Sequence, residues 1–246
     1  VQITANTGTL WQLKLDSGNL VIDYKGNFTT TFGIITGGTI TSVEISYKGQ
    51  PYVSLLDLNT NFSDLQTSTD TYATMLAGAD VLTGSALTDD IQGYAGNDSL
   101  TAGDGADTVR GGLGNDTISG GDGADVHVNG NQGDDLVSGG AGNDTVYGGR
   151  DNDTVIGNDG ADRLSGDLGT DVLTGGAGAD QFVLRIGAGA DTVTDFSLAE
   201  GDRVLMATGQ AYTNALVGGS VVITAGDASI TLTGVAAFST DMIAFA

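Results

Sequence analysis

The chain of 246 residues contains no cysteine, one proline and one histidine. Without cysteine there is neither a disulfide framework nor a thiolate metal site, and export to an oxidising compartment is permitted without being selected. One histidine and two glutamates, Glu44 and Glu200, leave few general acids or bases, and no His-Glu-x-x-His, Gly-x-Ser-x-Gly or phosphate-loop motif occurs. The chain is therefore read as no enzyme. Aromatics are only 6%, so a core has to be built from small and β-branched side chains in repeated thin layers. No apolar run reaches the length of a membrane span, and Val1 to Asp23 lacks a basic segment followed by an apolar one, so export would use another signal. Val1 in place of Met is taken as the mark of an upstream segment removed or left out. Cations are scarce too: eight Lys and Arg face 31 Asp and Glu, a formal net charge of −23. That balance argues against nucleic acid and anionic membranes as partners and in favour of bound cations.

What is present falls into three regions. Residues 1–76 alternate apolar and polar positions, as in Trp11, Leu13, Leu15 and again Val43, Ile45, Tyr47, with breakers such as Ser17-Gly18-Asn19 and Gly37-Gly38 between the runs. Period two predicts half-buried strands, hence an antiparallel β unit with Trp11 in its core. Asp70 is placed as the cap of one short helical turn over Tyr72 to Leu76. Residues 184–246 return to ordinary strand patterns at Asp191 to Phe196, Arg203 to Met206, Val221 to Thr224 and Ile230 to Leu232, a second β cap.

Between these, residues 77–183 repeat with a period of nine. Asp stands at 80, 89, 98, 107, 116 and 125 and, after one inserted residue near Val126-His127, at 135, 144, 153, 162, 171 and 180. Two residues after each Asp stands one apolar side chain, from Leu82 and Ile91 to Leu173 and Phe182, displaced by one at Val128. The segment holds 19 aspartates against Arg110, Arg150 and Arg163, so 19 − 3 = 16 of the net negative charges lie here. Each nonapeptide is expected to give a six-residue turn ending in Asp and a three-residue strand with its central side chain inward. Two repeats then make one coil of an all-β parallel solenoid with β caps at both ends. Same-side turns are eighteen residues apart in sequence and about 4.8 Å apart in space. Aspartates 80, 98, 116, 135, 153 and 171 line one edge, and 89, 107, 125, 144, 162 and 180 the other. Carboxylates at that spacing repel by about 3.5 kcal/mol at an effective dielectric of about 20, so the stack calls for cations. Calcium suits it, because the ion takes six to eight oxygens, main-chain carbonyls among them, and softer metals would want the missing His and Cys.

This segment resembles the repeats-in-toxin (RTX) family of calcium-binding proteins, whose nonapeptide Gly-Gly-x-Gly-x-Asp-x-apolar-x forms a parallel β-roll with calcium between turns. The match covers about 105 of the 246 residues and is highly specific. The resemblance implies roughly six to ten calcium ions as the only cofactor. It implies ligands from the second and fourth carbonyls and the Asp of one turn, with the first and third carbonyls and the Asp of the next turn on the same side. One ion would then lie among Gly140, Gly142, Asp144, Gly157, the main chain of Asp159, and Asp162. Carried along the chain, the expected metal residues are Asp80 and Asp89; Gly96 with Asp98; Gly103 and Gly105 with Asp107; Gly111, Gly112 and Gly114 with Asp116; and Gly120, Gly121 and Gly123 with Asp125. After the insertion they are Gly130 and Gly133 with Asp135; Gly139, Gly140 and Gly142 with Asp144; Gly148 and Gly149 with Asp153; Gly157 and Gly160 with Asp162; Gly166 and Gly169 with Asp171; and Gly175, Gly176 and Gly178 with Asp180. Leu87, Asp151, Ala102 and the pair Met75-Leu76 depart from the pattern and mark weak or empty turns. The insertion has to bulge one turn or shift one ion. Asp104, Asp122, Asp134, Asp159 and Asp167 are read as solvated, and His127 as a surface or packed residue.

The end of the chain, Asp191-Thr-Val-Thr-Asp195-Phe196, then Glu200-Gly-Asp202-Arg-Val and a closing apolar tail, is similar to the C-termini of such proteins. There the family carries an uncleaved signal for the type I secretion apparatus. The resemblance implies a chain exported unfolded and folded outside the cell, where sites of roughly 10⁻⁴ to 10⁻³ M affinity fill with calcium. The expected function is a secreted, non-catalytic surface-layer or adhesive component that partners calcium, copies of itself or a cell-surface glycan. The second reading is the secretion and folding module of a larger extracellular protease, lipase or polysaccharide-modifying enzyme.

Overall fold

The computed structural model describes residues 78–246 in full and residues 2–6, 10–15, 20–31, 34–47 and 50–61 as strand backbone. The expected helical turn after Asp70, the Met75-Leu76 pair and the burial of Trp11 lie outside what is described. Strands β1 (Gln2–Asn6), β2 (Leu10–Leu15), β3 (Leu20–Thr31), β4 (Ile34–Tyr47) and β5 (Gln50–Asn61) pair antiparallel in sequence order. The repeat supplies β6 (Val81–Thr83), β7 (Asp90–Ala95), β8 (Ser99–Asp104), β9 (Thr108–Leu113), β10 (Thr117–Asp122), β11 (His127–Gln132), β12 (Leu136–Ala141), β13 (Thr145–Arg150), β14 (Thr154–Asp159), β15 (Arg163–Leu168), β16 (Val172–Ala177) and β17 (Gln181–Val183). There follow β18 (Ala190–Val193), β19 (Arg203–Met206), β20 (Thr213–Val217), β21 (Ser220–Ala225), β22 (Ala228–Leu232), a 3-10 turn at Thr240–Met242 and β23 (Ile243–Phe245).

Strands of the repeat alternate between two parallel sheets. The first runs β6-β8-β10-β12-β14-β16-β18 and the second β7-β9-β11-β13-β15-β17-β19-β23. This is the parallel β-solenoid that the period of nine predicts. Ile118 pairs with Leu100 one coil back and Val137 one coil on, and Val128 sits likewise between Val109 and Val146. Inward residues from both sheets, Leu82 and Ile91 through Leu173 and Phe182, form one buried file, none more than 8% exposed. The file continues into Val193 and Val204 and on to the C-terminal end, where the Phe182 and Phe196 rings pack tilted at 45° with centroids 6.1 Å apart and Met206, Ile223, Ile230 and Met242 are buried.

Two details differ from the sequence expectation. Strands β7 to β16 are six residues long rather than three, because pairing resumes after the first position of each turn, as in Gly121 with Gly103 and Asp122 with Asp104. Positive φ at the second glycine turns the chain while its main chain stays in register. The insertion is absorbed as a bulge at Val126, which is 62% exposed. Its N–H still reaches the Asp107 carbonyl at 3.1 Å, and pairing restarts one residue late at His127 with Thr108.

Candidate metal centre

The periodic aspartates stand in two hydrogen-bonded ladders. In each, the N–H of one Asp donates to Oδ1 of the Asp one coil on, at 2.7–3.2 Å. One ladder runs Asp80, Asp98, Asp116, Asp135, Asp153, Asp171, Asp191. The other runs Asp89, Asp107, Asp125, Asp144, Asp162, Asp180, Asp202. The side chain is thereby fixed, with one oxygen spent inside the turn edge.

The second oxygen is the informative one. Oδ2 of Asp98, Asp107, Asp116, Asp125, Asp135, Asp144, Asp153, Asp162, Asp171, Asp180 and Asp191 is buried and accepts no hydrogen bond. A buried anionic oxygen without a partner is costly, and native structures keep few of them. Burial pushes Asp116 and Asp153 up to about 7 and Asp125, Asp135, Asp162 and Asp180 up to about 6. The N–H donated from one coil back pulls the other way. Repulsion from ladder neighbours, such as Asp98 and Asp135 on Asp116, adds to the rise.

In the turns that open with glycine, Oδ2 lies over that glycine, and at Gly93, Gly111, Gly120 and Gly157 the first carbonyl of the next turn on the same side lies close to the same place. A Cβ on Gly111 would overlap the Asp116 carboxylate and come within 2.6 Å of the Gly130 carbonyl. On Gly157 it would overlap the Asp162 carboxylate and meet the Gly175 carbonyl at 2.5 Å. Glycine leaves a cradle whose walls are oxygen. The second and fourth carbonyls, for example those of Gly121 and Gly123, face the corresponding glycines Gly140 and Gly142 of the next turn. Among the described residues no group of three or more His, Cys, Asp or Glu side chains comes together, so a metal here has to be held largely by main-chain oxygen. An all-oxygen, partly carbonyl set is what a hard cation of variable geometry takes, and calcium fits it. Bound there, the ion would supply the positive charge that the stacked carboxylates lack.

The ion position expected between Asp144 and Asp162 is built from two stacked turns. Asp144 N–H donates to Asp162 Oδ1 at 2.9 Å, and Gly142 N–H donates to the Asp159 carbonyl at 2.7 Å, leaving that carbonyl one lone pair. Asp104, Asp122 and Asp159 are exposed. Asp134 is exposed as well, yet it holds neighbouring coils together. Its Oδ1 accepts from Asn152 N–H at 2.8 Å within an outer ladder that also uses Asn97, Asn115 and Asn152. Asn at the fifth position of those turns was the signal for it. Asp191 and Asp202 join the two ladders although their sequence spacing, twenty and twenty-two residues, breaks the period. At the margins the second oxygen finds protein donors. Asp89 Oδ2 takes Ser85 N–H and Oγ–H at 2.7 and 2.9 Å, and Asp202 Oδ2 takes Ser197 N–H at 2.7 Å.

Residues 76–193 match the profile of the RTX calcium-binding nonapeptide repeat in overlapping segments. The chain carries an RTX calcium-binding array. Among solved structures, the AlgE6R3 subunit of the Azotobacter vinelandii mannuronan C5-epimerase is similar over 46% of this chain and 78% of its own length, at 28% identity and TM-score 0.37. The extracellular lipase LipA of Serratia marcescens is similar over 66% of this chain and 39% of its own, at 21% identity and TM-score 0.30. No curated protein matches the chain. Among the described residues no helix of the chain is long and apolar enough to cross a membrane.

Proposed function

We propose that the RTX array takes up calcium between successive turns of each edge, and that this uptake folds the chain outside the cell. The ligands would be the aspartates and glycine carbonyls named above, with Asp191 extending one edge. The protein would be exported by a type I apparatus and act as a non-catalytic structural component of the bacterial exterior, a surface-layer or adhesive protein. One observation carries the calcium role: a file of buried carboxylate oxygens, from Asp98 to Asp191, that no protein donor reaches. In low calcium those charges oppose closure of the roll. In extracellular calcium they become its fastening.

Calcium titration of the stripped chain, followed by far-ultraviolet circular dichroism and light scattering, tests both parts. A cooperative change from a disordered to a β spectrum is expected, with magnesium far less effective and with assembly following folding. Full β content in chelator, with an unchanged melting temperature, would remove the calcium role; folding without any rise in scattering would remove the assembly role.

A further inference from the structure

The two sheets of the roll differ in one respect that calcium does not explain. All five arginines of the described residues belong to the second sheet: Arg110 in β9, Arg150 in β13, Arg163 in β15, Arg203 in β19 and Arg185 just after β17. The first sheet has none among the described residues. Arg110 is paired with Asp90 at 2.7 Å and Arg185 lies 3.5 Å from Asp167, whereas Arg150 and Arg163 make no ion pair among the described residues.

Over this face three coils form a groove of about 390 Å³. Register builds it in columns: Asn131, Gly149 and Asp167 in one, Gln132, Arg150 and Leu168 in the next, with Asn129 and Arg185 also on its wall. A Cβ on Gly149 would run into the Asn131 main chain, so glycine here lets the coils stack closely between Asn131 and Asp167. Those two flanking residues hold φ of 81° and 66° where the repeat asks for glycine. In the first sheet the same position is glycine at 103, 121, 140 and 176, with Asn158, at φ 82°, between the last two.

We propose that this groove binds an acidic oligosaccharide, a chain of neutral polyhydroxyl units carrying occasional carboxylates. The inference rests on the calcium-folding reading, because the roll that forms the groove closes only with the ions in place. The guanidinium groups of Arg150 and Arg185 offer flat forks for carboxylate. The amides of Asn129, Asn131 and Gln132 and the carboxylate of Asp167 supply donors and acceptors suited to hydroxyls. Leu168, 49% exposed, gives an apolar surface for the CH face of a ring. One unpaired guanidinium, Arg150, and a second, Arg185, shared with Asp167, match sparse carboxylates set apart on an uncharged chain, and not the continuous charge of a nucleic acid. The 16 net negative charges of the repeat repel any anion until divalent ions neutralise the turns, so binding is coupled to calcium.

Isothermal titration calorimetry of the whole chain with a hyaluronan octasaccharide in saturating calcium tests this, with circular dichroism recorded on the same samples. Binding is expected for the octasaccharide and not for its carboxyl-reduced form. The double variant Arg150→Ala, Arg185→Ala is expected to bind at least tenfold more weakly while still folding with calcium. Asn131→Gly is expected to weaken binding several-fold and raise the melting temperature, which a purely structural residue would not combine. A folded chain that ignores the octasaccharide would overturn the proposal. Equal binding of the reduced form, of a glutamate peptide of the same charge, or by the arginine variant would do the same. Absence of a β spectrum in calcium would instead overturn the folding reading, and the groove with it.

Discussion

The central turns of the roll and its marginal ones solve the same problem differently. At Asp162, in the middle, the carboxylate places one oxygen on Asp144 N–H and leaves the other buried without a donor. At Asp89, near the start of the array, the second oxygen is taken by Ser85 through both its N–H and its hydroxyl. At Asp202, near the end, it is taken by Ser197 N–H. Close by, Asp195 accepts from Gly175 and Gly176 N–H at 3.0 and 2.8 Å, covering the last regular turn on its side. On this edge the margins therefore close with protein hydrogen bonds alone, and the middle is left needing a cation. An edge built this way has ends that stop it and an interior that depends on its ions. The other edge ends at Asp191 with its second oxygen still without a donor.

The largest contrast is expected from the glycine that shapes the cradle. Gly157→Ala sets a Cβ against the Asp162 carboxylate and 2.5 Å from the Gly175 carbonyl. The φ of Gly157 lies outside the left-handed region, so the effect is steric and not conformational. Relieving it means moving main chain in two stacked coils, at about 1–3 kcal/mol or more, and it closes the space the ion would take. The calcium midpoint of folding should rise more than tenfold; a shift under twofold would show that the cradle is not the ion's place.

Second comes the carboxylate itself. Asp162→Asn keeps an oxygen for Asp144 N–H but removes the charge from the orphaned site. A charge-assisted contact is worth about 1.5–3 kcal/mol, so a rise of roughly tenfold in the calcium midpoint is expected. Asp89→Asn, where Ser85 already serves the second oxygen, should shift the midpoint less than threefold. Equal shifts at the two positions would erase the distinction between middle and margin.

Much of this is legible in the amino-acid sequence. The spacing of nine identifies the solenoid, both rows of aspartate and the inward file from Leu82 to Phe182, because a stacked coil forces each chemical role to recur. It is silent where the chain departs from the period while the geometry does not. Asp191 follows Asp180 by eleven residues and Asp202 follows Asp191 by eleven, so neither falls on the nonapeptide count, yet both close the ladders. The bulge at Val126 is a matter of which residue yields, settled by the hydrogen bond from Val126 to Asp107. Left-handed backbone at Tyr94 and Asp167 is invisible in sequence, since stacking imposes it on residues that would not choose it. The segregation of arginines was readable in principle, as their placement alternates with the nonapeptide count.

A third test uses protons in place of calcium. In the metal-free roll Asp116 and Asp153 are raised to about 7, and Asp125, Asp135, Asp162 and Asp180 to about 6, mainly by burial, against an ordinary value of 3.8. A folded value above the unfolded one means that the folded state binds more protons between about pH 4 and 7, so stability falls as pH rises through that window. In chelator, acidification from pH 8 to pH 5 should therefore increase β content. In calcium the same acidification should raise the midpoint, because protons and the ion compete for the same oxygens. Circular dichroism across pH, with and without chelator, reads both; trends of the same sign would contradict the assignment of these oxygens.

The smallest effect is expected at Asp104, and its smallness is the point. Asp104 is exposed and sits in the same array, so replacing it with Asn removes as much formal charge as Asp162→Asn does. If the roll were held open by its overall charge of −23, the two variants should lower repulsion alike and both ease folding. An exposed charge is screened over about 8 Å at physiological salt and has no fixed partner to lose, so Asp104→Asn should leave the calcium midpoint within about 0.5 kcal/mol of the wild type. A tenfold rise at Asp162 beside almost no change at Asp104 would mean that position, and not total charge, decides where the ion binds. The buried, undonated oxygen is what differs between the two aspartates.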